Sequence, residues 1–375
     1  MNTKNIVLII CLFVFFVGCS TSQIDKLDTN YHLVENCRVY DKQGKLIKTI
    51  FNGTGSCYLN DDGSVLFSDA KGLSLYDANF NFIWRLEMLV HHMISKTKNG
   101  DYLVLASENH PYDGKIVRFD RILRISEKGK IVGEFNVFKR LEEIEKRTYE
   151  DILNAPWLSS YFMMAKGMLK LNNFRERDLS ESEKETYVGA VSETYHFNSV
   201  SEITEMKELN GNVVVSPGLR NIIIILSPDL SQIVHIFPAP SPLIHDVYFK
   251  NEQLVIYNNE ANFTASYLFQ QPKRSAIQLF DYPSMSLVRS YGDRDSEFFY
   301  AEKFGGGSLL PNGNIVFSHY VGKTQQFFVR EVDTNGKMLH EKLIGNTVDV
   351  GTVLYVKVCN MSSFLSKNKW NQIDL

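Results

Sequence analysis

Short apolar runs separated by polar turns recur along most of the chain. Asn-Gly turns open several of these runs, as at Asn99-Gly100 and Asn210-Gly211, and four or five mostly apolar residues follow each turn. Asn-Gly between apolar runs is a strong hairpin signal, because both residues tolerate positive φ. The pattern therefore predicts short antiparallel strands over most of the chain.

These runs group into units of about 40 residues, each with three or four strands, which is typical of propeller blades. Five units begin near residues 62, 99, 210, 252 and 312, and a related segment lies at 37–47. The sequence therefore predicts an all-β fold, a six-bladed β-propeller, with residues 19–375 as a single domain. Since propellers often close by pairing terminal strands, we expect Val353–Val358 to complete the blade that begins near residue 33. A large β-sandwich or two barrels are the alternatives.

One stretch, residues 138–195, breaks the strand pattern. Apolar residues such as Leu141 and Ile144 recur there with helical spacing among many Lys and Glu residues. Ser180 and Glu183 form a capping-box pattern that opens a second short helix. We expect a mostly helical insertion within the propeller. Two roles remain open for it, a packing arm on the rim and a lid at the channel mouth.

The first residues have the pattern of an export signal. A short basic start precedes an apolar run from Ile6 to Val17, shorter than the roughly 20 residues of a membrane span. Gly18-Cys19 then resembles a bacterial lipobox, so we expect a signal peptide over residues 1–18 and a membrane anchor at a lipidated Cys19. No acidic cluster follows Cys19, which favours the periplasm over the cell surface. Plain secretion and an uncleaved anchor are the alternatives.

Charge and cysteine content exclude several classes of protein. Lys and Arg number 40 against 43 Asp and Glu, a net charge of −3, so we expect no nucleic-acid partner. The five cysteines include no C-x-x-C pair. If Cys19 is lipidated, Cys37, Cys57 and Cys359 remain in the mature chain, and at most one internal disulfide is possible. We expect neither a metal nor a nucleotide cofactor.

Three histidine sites occupy the same place in the repeat, shortly before a strand or the turn that precedes it. They are His91-His92, His196 and His245. Because the innermost strands of all blades line one channel, equivalent positions converge there. We therefore expect these imidazoles to meet in an axial cavity. Zinc binding by three separated histidines is the alternative, and the other histidines are interpreted as surface or packing residues.

Motifs that follow one another along the chain resemble those of the bacterial arylsulfotransferases. They are His91-His92-Met93-Ile94 with Lys98–Ala106, His196-Phe197-Asn198-Ser199, Ile244-His245-Asp246, and Phe304–Val316. The resemblance covers roughly residues 75–350. That family is nucleotide-independent and has a six-bladed propeller fold, so the resemblance supports the predicted architecture.

The resemblance implies a two-step transfer of a sulfuryl group. His245 corresponds to the family's histidine nucleophile, which takes the group from a small-molecule aryl sulfate and passes it to a phenol. His196 and His92 correspond to histidines that stabilise developing charge or protonate the leaving phenolate. A neutral imidazole is nucleophilic near pH 7, so the residue types suit this chemistry.

Two positions depart from the family pattern. Met93 stands where the first motif usually has a carboxylate. At the register of the family's sulfate-binding arginine this chain has Gly218, and Arg220 follows two residues later. Since two residues along a strand keep the same face, Arg220 is the candidate for that role. His91 and Asn198 are the implied substrate contacts.

These departures also favour a rival hypothesis, a non-catalytic propeller that binds a partner in the cell envelope. A lyase or hydrolase that uses the same histidines is a third possibility. The fold does not decide between them, because propellers host many functions.

Overall fold

The computed structural model describes residues 32–35, 37–40, 45–51, 56–69, 71–153, 177–240, 243–262, 266, 269–292, 299–301, 305–321, 323–346 and 357–359. Within these residues the chain forms six sheets, with few helices. Pairing within the sheets is antiparallel except where a short strand joins the second sheet. Each sheet is built from consecutive strands, apart from one that joins the two ends of the chain.

The first three sheets contain the following strands. Sheet 1 has β4 (Ser56–Leu59), β5 (Val65–Asp69), β6 (Gly72–Tyr76) and β7 (Phe82–Glu87); sheet 2 has β8 (Leu89–Lys96), β9 (Tyr102–Tyr112), β10 (Lys115–Ile125) and β11 (Ile131–Asn136), extended by β12 (Arg177–Asp178) and β13 (Ser192–Glu193); sheet 3 has β14 (Phe197–Glu202), β15 (Val213–Pro217), β16 (Ile222–Leu226) and β17 (Ile233–Pro238).

The other three sheets follow the same plan. Sheet 4 has β18 (Ile244–Lys250), β19 (Gln253–Asn258), β20 (Ala276–Asp281) and β21 (Ser286–Tyr291); sheet 5 has β22 (Gly306–Leu309), β23 (Ile315–Val321), β24 (Gln326–Val332) and β25 (Met338–Asn346); sheet 6 has β26 (Lys357–Cys359), β1 (His32–Glu35), β2 (Arg38–Tyr40) and β3 (Leu46–Thr49).

The predicted hairpin turns are present where the Asn-Gly pairs stand. Gly100 has φ 91° and donates its backbone N–H to the carbonyl of Thr97, which closes the turn between β8 and β9. Gly211 has φ 87° in the turn between β14 and β15. Positive φ costs glycine little, so Gly100 allows a tight reversal, while Gly211 ends a longer connection, residues 203–212, that contains a 3-10 helix at Lys207–Leu209.

The first strands of neighbouring sheets contact one another, β4 with β8, β8 with β14, β14 with β18, β18 with β22 and β22 with β26. This is a β-propeller arrangement, and the prediction of an all-β propeller is confirmed at that level. The core lies between the sheets. All five residues of Ile222–Leu226 are buried, in clusters shared with sheets 2 and 4. Burial of one such side chain contributes roughly 2 kcal/mol.

Sheet 6 joins strands from opposite ends of the chain. Leu33 of β1 pairs with Val358 of β26, and β1 pairs on its other side with β2. The expected closing segment is thus a strand at residues 357–359, while residues 353–356 lie outside the described part. A disulfide between Cys37 and Cys57 links sheet 6 to sheet 1.

The region predicted as a helical insertion contains helices and strands. A 3-10 helix at Phe138–Arg140 leads into α1 (Leu141–Leu153), and α2 spans Glu181–Thr186. The capping box of Ser180 and Glu183 is confirmed. Residues 154–176 lie outside the described part. Beyond α2, β13 pairs in parallel with β10, so this region extends sheet 2 beside the long β9–β10 hairpin.

Candidate active site

In sheets 2, 3 and 4 the first strand has a bulge near its start, and these bulges change the direction of predicted site residues. The register of β8 against β9 shifts between Val90 and Ile94, so residues 91–93 lie outside the regular pairing. Asn198 in β14 and His245 in β18 each lie at a one-residue shift. A bulge leaves the extra residue unpaired and changes the direction of its side chain. The repeat therefore presents these residues at the same end of the sheets.

The imidazole rings of His92, His196 and His245 lie close together. The ring centroid of His92 is 4.6 Å from that of His196 and 6.1 Å from that of His245. The ring of His91 is 5.0 Å from that of His92. The Nε2 atoms of His92 and His196 are 2.8 Å apart, which is a hydrogen-bond distance. Histidines from three neighbouring sheets thus meet as the positional repeat predicts.

The backbone around these histidines adopts the left-handed region. His92 has φ 55°, Tyr195 has φ 67° and His196 has φ 51°. For residues with a side chain this conformation is uncommon and costs of order 1 kcal/mol each. Such strain is frequently found at functional sites, where the surrounding structure holds it in place.

Carboxylates orient two of the rings. The Nε2 atom of His91 lies 3.0 Å from Oδ1 of Asp120. The other oxygen of Asp120 accepts the backbone N–H of His196 at 2.8 Å. The Nδ1 atom of His196 lies 3.0 Å from Oε2 of Glu193. Partners of this kind fix both the orientation of an imidazole and the nitrogen that carries its proton.

A backbone carbonyl orients the third ring. Nδ1 of His245 lies 2.8 Å from the carbonyl oxygen of Gly305. A carbonyl oxygen only accepts hydrogen bonds, so Nδ1 carries the proton, and the lone pair of the neutral ring is on Nε2. Gly305 has φ 111°, and a Cβ there would lie 2.4 Å from atoms of the Tyr257 ring. Only glycine therefore places this carbonyl without strain.

Burial keeps His91, His92 and His245 neutral at physiological pH. Desolvation lowers the pKa of His245 to about 4, with a smaller contribution from His196, while the hydrogen bond to Gly305 acts in the opposite direction. Desolvation and the charge of Arg118 lower the pKa of His91 to about 4. Desolvation, followed by the neighbouring histidines, holds the pKa of His92 well below its usual range. The neutral form of an imidazole is the nucleophilic one.

Two buried charged residues at the site were missed by the sequence reasoning. Arg118 and Glu193 are each 1% exposed, and Nη1 of Arg118 lies 2.6 Å from Oε2 of Glu193. The guanidinium also stacks over the ring of Tyr187 at 3.8 Å. One available signal was the position of Arg118 and Asp120 on either side of the buried Phe119 in β10, since charges on buried strands need partners.

Arg220 lies in a turn and not in a strand. Residues 218–221 connect β15 to β16, so the expectation that Arg220 shares a strand face with Gly218 is wrong. Nη2 of Arg220 donates to Oγ1 of Thr194 at 2.8 Å, and the guanidinium lies 4.6 Å from the centre of the Tyr195 ring. These contacts place Arg220 against the two residues that precede His196.

Asn198 links two sheets beside the site. Its side-chain Nδ2 donates to the carbonyl of Ile244 at 2.9 Å, directly before His245. A Cβ at Gly218 would collide with that amide group. The glycine at position 218 therefore makes room for Asn198, which holds the start of β18 in place.

The other described histidine side chains lie apart from these rings. His110 stacks on Phe138, His235 contacts Tyr282, His319 stacks on Phe328, and His340 is exposed. His319 is buried among aromatic rings, consistent with a packing role. The side chain of His32 lies outside the described part.

The described residues include neither a candidate metal site nor a helix that could span a membrane. No group of three or more His, Cys, Asp or Glu residues in this part has the arrangement of a metal site. The described helices also include none with the length and apolar character needed to cross a bilayer. The expected signal peptide and the lipidation site Cys19 lie outside the described residues.

No family model and no curated protein matches the chain. Among solved structures, the WD40 domain of Neurospora crassa Pan2 is similar with a TM-score of 0.41 and 8% identity, over 76% of this chain and 64% of that chain. A structure of the mitotic checkpoint complex is similar with a TM-score of 0.40 and 7% identity, over 77% and 65%. The chain thus spans less than two thirds of either, at 64% and 65%.

A further similar structure is a catalytically inactive virginiamycin B lyase from Staphylococcus aureus with quinupristin. Its TM-score is 0.39 and its identity is 12%, over 82% of this chain and 76% of that chain. Identities this low concern the fold alone, and TM-scores this low carry no argument about activity.

Proposed function

We propose that the protein is an aryl-sulfate sulfotransferase built on a six-bladed propeller. In this proposal, His245 takes a sulfuryl group from an aryl sulfate and passes it to a phenol, and no nucleotide is required. The observation that carries the proposal is the meeting of His92, His196 and His245, with the lone pair of His245 assigned to Nε2. The six consecutive sheets support the blade number.

The first step forms a bond between Nε2 of His245 and sulfur and breaks the bond between sulfur and the aryl oxygen. The electron pair of the broken bond leaves on the phenolate oxygen, which receives a proton from the neighbouring histidines. In the second step the acceptor phenol returns a proton to them, and its oxygen attacks sulfur. The electron pair of the N–S bond then returns to Nε2. Covalent catalysis lowers the barrier by replacing one difficult transfer with two easier displacements.

The surrounding residues support this chemistry. The hydrogen bond from Nδ1 of His245 to Gly305 stabilises the ring as positive charge develops on it during attack. His92 lies beside both other rings and has access to charge that develops on the sulfuryl oxygens. We also propose that the protein is exported and anchored in the membrane through Cys19, with the propeller in the periplasm.

The test is turnover of 4-nitrophenyl sulfate with a phenol acceptor by the purified protein. We expect nitrophenolate release that depends on the acceptor, and a peptide containing His245 that gains the mass of one SO₃ group when the acceptor is omitted. His245→Asn should lower kcat/KM by about 10³-fold or more, as expected for loss of a nucleophile. His340→Asn, an exposed position on β25, is the matched control and should not change turnover.

Each alternative gives a different result. Release that does not depend on the acceptor indicates a hydrolase or a lyase. A folded protein that neither turns over the donor nor gains the SO₃ group rejects the proposal and leaves a binding module.

A further inference from the structure

A buried network of charges lies beside His196 and is not used by the mechanism above. Glu193 contacts three groups that carry or can carry positive charge: Arg118, Arg177 and His196. Burying charged groups is costly, and replacement of such clusters by apolar residues is often neutral or stabilising. A network of this kind at the base of a catalytic histidine therefore points to a role in the chemistry.

The contacts form a continuous path from Glu193 through His196 to His92. Oε2 of Glu193 lies 3.0 Å from Nδ1 of His196, and Nε2 of His196 lies 2.8 Å from Nε2 of His92. The remaining ring nitrogen of His92, Nδ1, is buried and has no hydrogen-bond partner among the described residues. A buried polar atom without a partner usually has one in a working state, such as water or a ligand.

The geometry points to a proton relay that runs from His196 through His92 to the leaving phenolate, with Glu193 as the positioning residue that holds the charge on His196. This inference rests on the proposed function. It also names a substrate class: aryl sulfates with basic, poor leaving phenols, since only these need a proton in the transition state.

The hydrogen bonds determine how the proton moves. Before transfer His196 carries both ring protons, donating Nδ1–H to Glu193 and Nε2–H to the lone pair on Nε2 of His92. Neutral His92 then has its own proton on Nδ1. As the S–O bond breaks, Nδ1–H of His92 passes to the phenolate oxygen and Nε2–H of His196 passes to His92. His196 ends neutral, still bound to Glu193, and the acceptor phenol reverses both transfers.

Glu193 is suited to this role because it stays ionised. Burial raises the pKa of its carboxyl, but His196, Arg118 and Arg177 outweigh burial and hold the pKa far below its usual range. The carboxylate accepts the Nδ1–H of His196, while desolvation keeps His92 neutral. The two histidines therefore differ in role: one stores the proton and the other delivers it.

The groups that face His196 come from several elements. They are His91 and His92 of β8, Arg118 and Asp120 of β10, Arg177 of β12, Glu193 of β13 and His245 of β18. Removal of the Glu193 charge leaves the arginines unbalanced beside His196.

The main experiment compares Glu193→Gln with the wild type on two donors, 4-nitrophenyl sulfate and phenyl sulfate. We expect kcat/KM to fall by about 10²-fold or more for phenyl sulfate but by less than about tenfold for 4-nitrophenyl sulfate, because nitrophenolate leaves without a proton. Glu193→Asp, which keeps the negative charge, should recover part of the lost activity on phenyl sulfate.

The matched control is Glu108→Gln. Glu108 pairs with His110 in the same way, but that histidine stacks on Phe138, apart from the site. We expect kcat/KM of this variant to equal that of the wild type for both donors. Equal losses of kcat/KM on the two donors by a folded Glu193→Gln variant overturn the relay.

A measurement on the wild type keeps the test independent of how well the variant folds. With phenyl sulfate, kcat/KM measured in mixtures of H₂O and D₂O should follow a curved dependence that indicates two protons in motion. A linear dependence or the lack of an isotope effect overturns the relay even when turnover is normal. Failure of the proposed function looks different, because neither donor then reacts and His245 gains no SO₃ group.

Discussion

Acid should destabilise the protein through its buried neutral histidines. His91 and His245 have pKa values lowered to about 4, and His319 has one lowered to about 3, in each case mainly by burial. In the unfolded chain these groups titrate near 6.5. Below that pH the unfolded state binds more protons, so the stability present above pH 6.5 is lost as the pH falls toward 4.

The size of this effect follows from the pKa differences. Between pH 7.5 and pH 5.0 each of the three groups lowers the free energy of unfolding by about 2 kcal/mol, or about 6 kcal/mol together. His92 acts in the same direction. Near pH 5.5 the free energy should change by about 4 kcal/mol per pH unit. A loss of this size is comparable to the whole stability of many proteins, about 5–15 kcal/mol.

Urea unfolding at a series of pH values tests this prediction. His319→Phe, which places a ring among the aromatic neighbours of His319, should reduce the pH dependence by about one proton. His340→Gln replaces an exposed histidine and should leave the pH dependence of the free energy of unfolding unchanged. A free energy of unfolding that stays flat from pH 7.5 to 5.0, or that rises as the pH falls, refutes the reasoning.

Two further predictions concern the disulfide and the carbonyl that orients His245. The Cys37–Cys57 bond closes a segment with a sequence separation of 20, for which the chain-entropy model gives a contribution of about 3 kcal/mol. Replacing both cysteines by serine should lower the free energy of unfolding by that amount, and dithiothreitol should remove the difference from the wild type. Gly305→Ala should slow SO₃ transfer to His245 by about tenfold or more. Gly307→Ala is the control and should slow the transfer far less, because its Cβ would lie 3.3 Å from the nearest neighbouring atom. Equal effects of the two variants contradict the assigned role of the Gly305 carbonyl.

The parts of the fold that depend on local chemistry could be predicted from the sequence. Asn-Gly turns act over a few residues, so the hairpins at Gly100 and Gly211 were predictable, as was the capping box at Ser180 and Glu183. The meeting of the histidines was predictable for a different reason. A repeated unit places equivalent positions at equivalent points around one axis.

The remaining features depend on contacts between distant segments. Glu193 lies 75 residues from Arg118 in sequence, and no local pattern pairs them. Arg220 was placed on a strand because strand ends vary by a few residues, and the turn between β15 and β16 starts just before it. The disulfide was left open because cysteine spacing does not determine connectivity.

The pairing of β1 with β26 has a consequence for biosynthesis. The ribosome synthesises β1 early and β26 more than three hundred residues later. Sheet 6 therefore lacks β26 until residue 359 has left the ribosome. Until then β1 presents an open strand edge, which is a hazard for aggregation. The nascent chain therefore depends on late closure, and truncation just before residue 357 should leave a product that chaperones retain and proteases remove.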